Sequence, residues 1–377
     1  MKILLIGEYS RLHNSLKEGL EQLGHEVAIY GFNDGFKDFP IDLKFEKKFE
    51  TGFLKKIKLA LYYVTNFDIT SYLTYRQFLK NKNKFKGFDV VQLINENSFF
   101  CNYYYEIKIL KLIFETNKKV FLLSCGDDFI YVKYNFENKK NKSILQPYFN
   151  GKIQDKNFSN VLKFRTESFK KLHHFIYKNI IGVIASDVDY HIPLINNAKY
   201  LGLIANPINT NTITFNQLTI NDKIIIFHGI NEYNYYKKGN DFFNAALKII
   251  KEKYKDKVEI IIVKSLPYNE YIKLYNNAHI ILDQVYAYDQ GYNALEAMAK
   301  GKVVFTGAEK EFEEYYSLNK KVAINALPDV DYLVSELSLL IENPNEIKAI
   351  GKRAREFIEK EHDYIVIAEK YLEKWNS

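Results

Sequence analysis

Between Asp283 and Gly307 the chain reads DQVYAYDQGYNALEAMAKGKVVFTG, and these residue types suit a ligand rich in phosphate and hydroxyl groups. The apolar run HIIL ends on Asp283, so an acid stands where a buried strand gives out. Gly291 lets the backbone turn into a helix over residues 293–299, Gly301 stops that helix, and residues 303–306 supply the next buried strand. A helix that opens at the carboxyl end of parallel strands presents free N–H groups and the positive end of its dipole, which suits phosphate. Gly291, Tyr292 and Asn293 are placed to offer those N–H groups. Glu296, near the same end, can accept hydrogen bonds from a diol such as a ribose; as a purely structural residue it would instead pair with Lys300. Asp283 would equally serve as a cap at the strand end.

Strands and helices must place these groups. In the second half, residues 224–228, 258–263, 279–283 and 303–306 read as strands, alternating with helices at 241–251, 270–276 and 293–300. Helices near 311–316 and 329–342 follow, flanking a short strand at 322–324. Such alternation predicts a parallel, doubly wound sheet. The first half begins alike, with a strand at 2–7, a helix at 13–23, a strand at 27–30 and further strands at 89–93, 120–124, 181–186 and 200–204. The fingerprint G-x-G-x-x-G is absent, which argues against a dinucleotide-dependent dehydrogenase. The tract from Lys133 to Lys163, rich in Asn and Lys, is expected to be a mobile excursion. Pro207, in Ala205–Asn209, marks a crossing between two domains.

The stretch ALEAMAKGKVVF resembles the nucleotide-sugar site of retaining glycosyltransferases of the GT-B fold, in family 4 ("glycosyl transferases group 1"). That group carries E-x7-E followed by A-M-A-x-G-x-P-V, and Glu296 falls on the second glutamate. Tyr288, with Asp289 beside it, stands at the first, which in the family faces the donor sugar. Asp283-Gln284 is similar to the Asp-Gln pair of one subgroup. The resemblance implies two Rossmann-like domains facing a central cleft: residues 1–205 for an acceptor and 206–360 for the nucleotide sugar, with a last helix in 361–377 crossing back. It further implies that Lys238-Gly239, in HGINEYNYYKKGNDFF, matches a Lys-Gly pair that contacts the diphosphate; Ile230 or Asn231 stands where the family has Arg. Gly229 belongs to the same loop, Lys264 is a second cation at the cleft edge, and His228 ends the preceding strand. In the first half LLSCGDDFIY matches a loop in which the family carries His near the reacting bond. Cys125 occupies that place, and Asp127 or Asp128 would act on the acceptor hydroxyl or hold the sugar. Asn95 and Glu96 would face the same cleft. Asp187-x-Asp189 also has the spacing by which GT-A transferases hold a nucleotide through a metal, or else it caps a helix. The one-domain GT-A fold would leave the second half unexplained, so no metal and no cofactor are expected.

Composition sets the outer limits. The chain's 377 residues suffice for two domains, no apolar run is long enough to cross a membrane, and two cysteines fit a reducing cytosol. The opening MKILLIGEYS reads as a buried strand and not as a secretion signal. The 30 Tyr and 28 Phe fit the codon bias of an AT-rich genome, with a sugar-stacking surface as the alternative. Residues 1–205 carry an excess of 10 positive charges and the remainder an excess of 3 negative ones, so the first half is expected to meet an anionic partner. No nucleic-acid-binding pattern accompanies that charge. In TGFLKKIKLALYYVTNF, Phe53, Leu54, Ile57, Leu61 and Val64 recur at helical spacing opposite Lys55, Lys56 and Lys58, which suits either an anionic bilayer or an ordinary domain helix. The expected function is transfer of a sugar from a nucleoside-diphosphate sugar to a glycan or lipid-linked acceptor in bacterial surface-polysaccharide assembly. Its expected place is the cytoplasm or the inner face of the membrane. The alternative is a non-catalytic GT-B protein that binds a sugar nucleotide or glycan.

Overall fold

A seven-stranded sheet comes from the first half of the chain and a five-stranded sheet from the second, and every pairing is parallel. The computed structural model describes residues 1–32, 39–264, 266 and 268–377. The first sheet has the order β3-β2-β1-β4-β5-β6-β7, from β1 (Lys2–Ile6), β2 (Glu26–Gly31), β3 (Leu43–Lys44), β4 (Val90–Leu93), β5 (Lys119–Ser124), β6 (Val183–Ala185) and β7 (Tyr200–Leu203). The second has the order β12-β11-β10-β8-β9, from β8 (Ile224–Ile230), β9 (Val258–Lys264), β10 (Ile280–Leu282), β11 (Val303–Thr306) and β12 (Ile324–Asn325). Central strands such as β4, VVQL, are buried at every position, which is why they read as unbroken apolar runs.

Helices cover both sheets. The first half supplies α1 (Leu12–Gln22), α2 (Gly52–Thr65), α3 (Ile69–Asn81), α4 (Tyr103–Thr116), α5 (Phe129–Glu137), α6 (Gln146–Phe149), α7 (Asp155–Leu162), α8 (Glu167–Asn179) and α9 (Val188–Leu194). The second supplies α10 (Asn240–Lys253), α11 (Tyr268–Asn277), α12 (Tyr292–Ala299), α13 (Lys310–Tyr315), α14 (Val330–Glu342), α15 (Pro344–Glu361) and α16 (Tyr364–Asn376). The tract from Lys133 to Lys163 is not an excursion. It folds as the end of α5 with α6 and α7 around its own small core of Tyr131, Val132, Leu145, Phe158, Val161 and Phe164.

The two halves are joined where the chain crosses out and back. The Ile208 N–H donates to the His362 carbonyl at 2.7 Å, and His362 Nδ1 lies 2.8 Å from the Asn206 carbonyl. From there α16, capped by the Asp363 carboxylate, packs against α1 of the first half. Gly19 makes that approach possible, since a Cβ there would lie 2.2 Å from the Tyr364 carbonyl oxygen. Trp375, fully buried, lies tilted beside Phe121 of β5 and donates no side-chain bond; its carbonyl receives Lys119 Nζ at 2.7 Å.

Helix α2 breaks the pattern of buried apolar faces. None of its residues is buried; Phe53, Tyr63 and Val64 are 75, 80 and 84 % exposed. The reading of this segment as an ordinary helix packed on its domain does not hold. Among the described residues no helix is long and apolar enough to cross a membrane.

Candidate functional site

Each sheet has one point where the strand order reverses, and loops leaving the carboxyl ends of the strands there form a crevice. In the second sheet that point lies between β8 and β10, whose following loops carry Lys238 and Asp283. Lys238 Nζ donates to Asp283 Oδ1 at 2.8 Å; the lysine side chain is 32 % exposed and the carboxylate 2 %. Thr306 Oγ1, from the end of β11, is 3.4 Å from the other oxygen, Oδ2. Gly239 holds Lys238 against this loop. It takes a left-handed φ of +70°, and a Cβ would fall 1.7 Å from Val285.

Gly291 closes the same crevice. A Cβ on it would lie 3.8 Å from Gln284 Nε2 and 4.0 Å from Asp283 Oδ2, and it caps α12 without any side-chain bond to the first turn. Tyr292 then anchors the helix to the first half, its hydroxyl 2.6 Å from Ser15 Oγ and donating to the Pro207 carbonyl at 2.9 Å. Asn293 receives the Tyr275 hydroxyl on its carbonyl at 2.9 Å. One turn further, Glu296 lines a cavity of about 830 Å3 with Arg11 of the first half, Thr212, Asn276 and Lys300. His228 lies beneath the Lys238–Asp283 pair; burial, with Lys238 adding to it, drives its imidazole down to about 4, so it is neutral near pH 7.

Two residues fall outside this group. The Tyr271 ring covers Gly229, where a Cβ would lie 2.7 Å from it, so the glycine is accounted for by packing against α11. Lys264 ends β9 beside Ile230 as an exposed residue.

The first half faces this crevice with the loop after β5. Asn95 Nδ2 holds that loop, donating to the Cys125 and Asp127 carbonyls at 2.9 and 3.1 Å. Asp127 is half-buried with Oδ1 lacking a hydrogen-bond partner, and burial raises its pKa against the pull of Lys237 and Lys163. Lys237 comes from the second half, so Asp127 and the Lys237–Lys238 loop look at each other across the cleft. Asp128 is not a catalytic alternative. Its carboxylate receives the Tyr131 N–H at 2.7 Å and the Ser124 hydroxyl, making it the cap of α5. Glu96 is likewise committed, at 2.6 Å from His173 Nδ1 and 3.3 Å from the Phe129 N–H. The Cys125 thiol is pushed up to about 12, first by burial and then by Asp187, so it stays protonated.

The Asp187-x-Asp189 pair does something its spacing did not suggest. Asp189 Oδ2 receives the N–H groups of Tyr288 and Asp289 from the other half at 3.0 and 3.2 Å, and Asp289 Oδ2 receives the Val188 N–H at 3.2 Å. Asp187 makes no side-chain cap bond to α9. Among the described residues no group of three or more His, Cys, Asp or Glu is arranged to hold a metal ion. Cations missed by the sequence reading also tie the halves. Lys142 reaches Glu309 at 2.6 Å and the Ala326 carbonyl at 2.9 Å, and Lys152 reaches Asp241 at 2.5 Å. No local signal marks these pairs, because their partners lie far away in the chain.

Two comparisons bear on this geometry. Residues 235–373 match the family described as glycosyl transferase-like, and that stretch contains Lys238, Asp283, Gly291 and Glu296. Nothing among curated proteins matches the chain by sequence. Among solved structures, sucrose-phosphate synthase from Thermosynechococcus elongatus superposes with a TM-score of 0.61 at 15 % identity, over 100 % of this chain and 98 % of the other. HepE from Anabaena, solved with UDP and glucose, gives 0.55 at 13 % identity over 100 and 99 % of the two chains. Residues 235–373 are glycosyl transferase-like, and the fold of the chain is GT-B. MnaA from S. aureus, solved with UDP, superposes with a TM-score of 0.55 at 11 % identity over 98 and 94 % of the two chains. In this GT-B chain the loop after β5 of the first sheet faces the Lys237–Lys238 loop of the second through Asp127.

Proposed function

We infer that the protein is a retaining, metal-independent glycosyltransferase of the family 4 type, using a nucleoside-diphosphate sugar as donor. The observation that carries this reading is the grouping of Lys238, Asp283 and the uncapped start of α12 at Gly291 around one switch-point crevice. There the ammonium of Lys238 meets the diphosphate, the α12 N–H groups add their dipole, and Glu296 takes the ribose diol. Because HepE and MnaA were solved with UDP, uridine nucleotides come first among donors. Asp127, across the cleft, binds the sugar or the acceptor hydroxyl. Transfer proceeds by front-face attack, with the leaving diphosphate assisting removal of the acceptor proton.

The acceptor is a glycan or lipid-linked glycan of a bacterial surface polysaccharide. Exposed Phe53, Tyr63 and Val64 beside Lys55 and Lys56 on α2 support contact with an anionic inner membrane face. The test is a thermal-shift series with UDP, GDP, ADP, CMP and dTDP sugars, with and without EDTA. A shift with one nucleotide that survives EDTA and is lost in Glu296→Ala is the expected result. Dependence on added metal would overturn metal independence, and no response to any nucleotide sugar would overturn the donor assignment.

A further inference from the structure

We propose that Asp189 is a positioning residue, reaching from the first half of the chain to fix the loop of Tyr288, Asp289 and Gln290 in the second half. The inference rests on the reading of the cleft as a donor site.

The loop runs from Asp283, the partner of Lys238, to Gly291 at the start of α12, so it forms the rim of the candidate donor crevice. Its own half secures one side: Gln290 Nε2 donates to the Gly307 carbonyl at 2.7 Å, and the Glu309 N–H donates to the Tyr288 carbonyl at 3.1 Å. The other side finds its partner, among the described residues, in the first half. Two consecutive N–H groups, of Tyr288 and Asp289, both point at Asp189 Oδ2. Asp289 answers by receiving the Val188 N–H, and its second oxygen receives the Gln290 N–H at 2.6 Å. Each half thus satisfies backbone donors of the other with a carboxyl oxygen. The exchange exists only while the halves are together, so the shape of the rim depends on closure. Lys142, bound to Glu309 and to the Ala326 carbonyl, holds the halves together nearby.

The D-x-D spacing therefore acts as a clasp between the halves. Asp187 faces Ser186 Oγ at 2.9 Å, and Asp189 is committed to amides. The nucleotide anchors, Lys238 and Glu296, lie outside the clasp, which separates two measurable quantities. Loss of Asp189 should leave UDP affinity unchanged and remove the additional affinity that the sugar of UDP-glucose or UDP-N-acetylglucosamine confers.

Hydrogen–deuterium exchange of the whole protein, without ligand, reads the clasp directly. In Asp189→Ala the amides of residues 286–290 should exchange about fivefold faster or more, the change expected for losing about one hydrogen bond, while β5, β10 and α12 keep their protection. Asp189→Asn, which retains an acceptor oxygen in the same place, should restore most of the protection and of the sugar increment. Unchanged exchange in the alanine variant overturns the proposal, as does faster exchange with an intact sugar increment. If the wild type binds UDP but gains nothing from either sugar, the role toward the sugar is overturned. If it binds no nucleotide at all, the donor-site reading fails, and the exchange data still decide whether Asp189 holds the loop.

Discussion

Lys238 is the cation best placed for a diphosphate, yet it already has a counterion, and that makes its replacement informative in two ways. In Lys238→Met the Asp283 carboxylate, 2 % exposed, loses its ion pair and keeps only the distant Thr306 hydroxyl. At 2.8 Å the attraction is about 6 kcal/mol for an effective dielectric near 20, most of it offset by desolvation. Breaking a fully buried pair costs about 3–5 kcal/mol and an exposed one about 0–1 kcal/mol. With the ammonium 32 % exposed we expect about 2–3 kcal/mol, recovered in large part when Asp283→Asn is added. Urea unfolding followed by far-UV circular dichroism on the four members of the cycle gives the coupling. Calorimetry with UDP gives the functional half. Lys238→Met should weaken UDP about tenfold or more, and Asp283→Asn, which releases the ammonium from its partner, should tighten it about tenfold, the worth of one charge-assisted bond. Equal weakening in both single variants would refute the counterion argument and make Asp283 itself a ligand contact. A coupling below about 0.5 kcal/mol would refute the stability argument.

Gly19→Ala keeps α1 helical but places a Cβ 2.2 Å from the Tyr364 carbonyl, so α16 should shift away at a net cost of about 1–3 kcal/mol; fluorescence of Trp375, the single tryptophan, reports it. Serine at Phe53, Tyr63 and Val64 together should abolish co-sedimentation with phosphatidylglycerol vesicles without altering the melting temperature, since all three side chains are exposed. Burial raises the Asp189 carboxyl from 3.8 to about 7, with Asp289 adding to the effect and the Asp289 and Tyr288 N–H groups, then Lys142, opposing it; Asp187 and Tyr131 also face the group. A pKa raised by folding gives stability that is complete below 3.8 and lost as pH climbs through about 7. The stability advantage of wild type over Asp189→Asn should therefore shrink across that window. The comparison between variants matters because buried His13, His228 and His362, all lowered to about 4, slope the opposite way in both proteins.

The second sheet was legible because each strand is a short apolar run and each helix an amphipathic one, so periodicity alone separates them. The tract around Leu145, Phe158 and Val161 was misread because Asn and Lys between these apolar residues hid their spacing. Helix α2 was legible as a helix, and its amphipathic pattern was real, but a pattern cannot say whether its apolar face finds a partner. Asp283 and Gly291 followed from local chemistry, since one ends a strand and the other opens a helix, whereas Lys238 came from the resemblance of its Lys-Gly pair. Asp128 and Asp189 did not. A carboxylate after a strand has the same sequence signature whether it caps a helix, meets a substrate or reaches across a cleft. The partners of Asp189 lie 99 and 100 residues away.

Helix α16 follows every other element of the chain and yet covers α1, the first helix to be made. The seven strands of the first sheet are all synthesised by Leu203, while α16, which shares a core with Leu12, Leu16 and Leu20, begins only at Tyr364. At about 5–20 residues per second the wait lasts roughly 8 to 30 seconds. Throughout it the nascent first half carries an uncovered apolar stripe, the kind of surface that chaperones bind. A chain stalled before Tyr364 should remain with them, and the two halves should reach the native state together once synthesis passes Trp375.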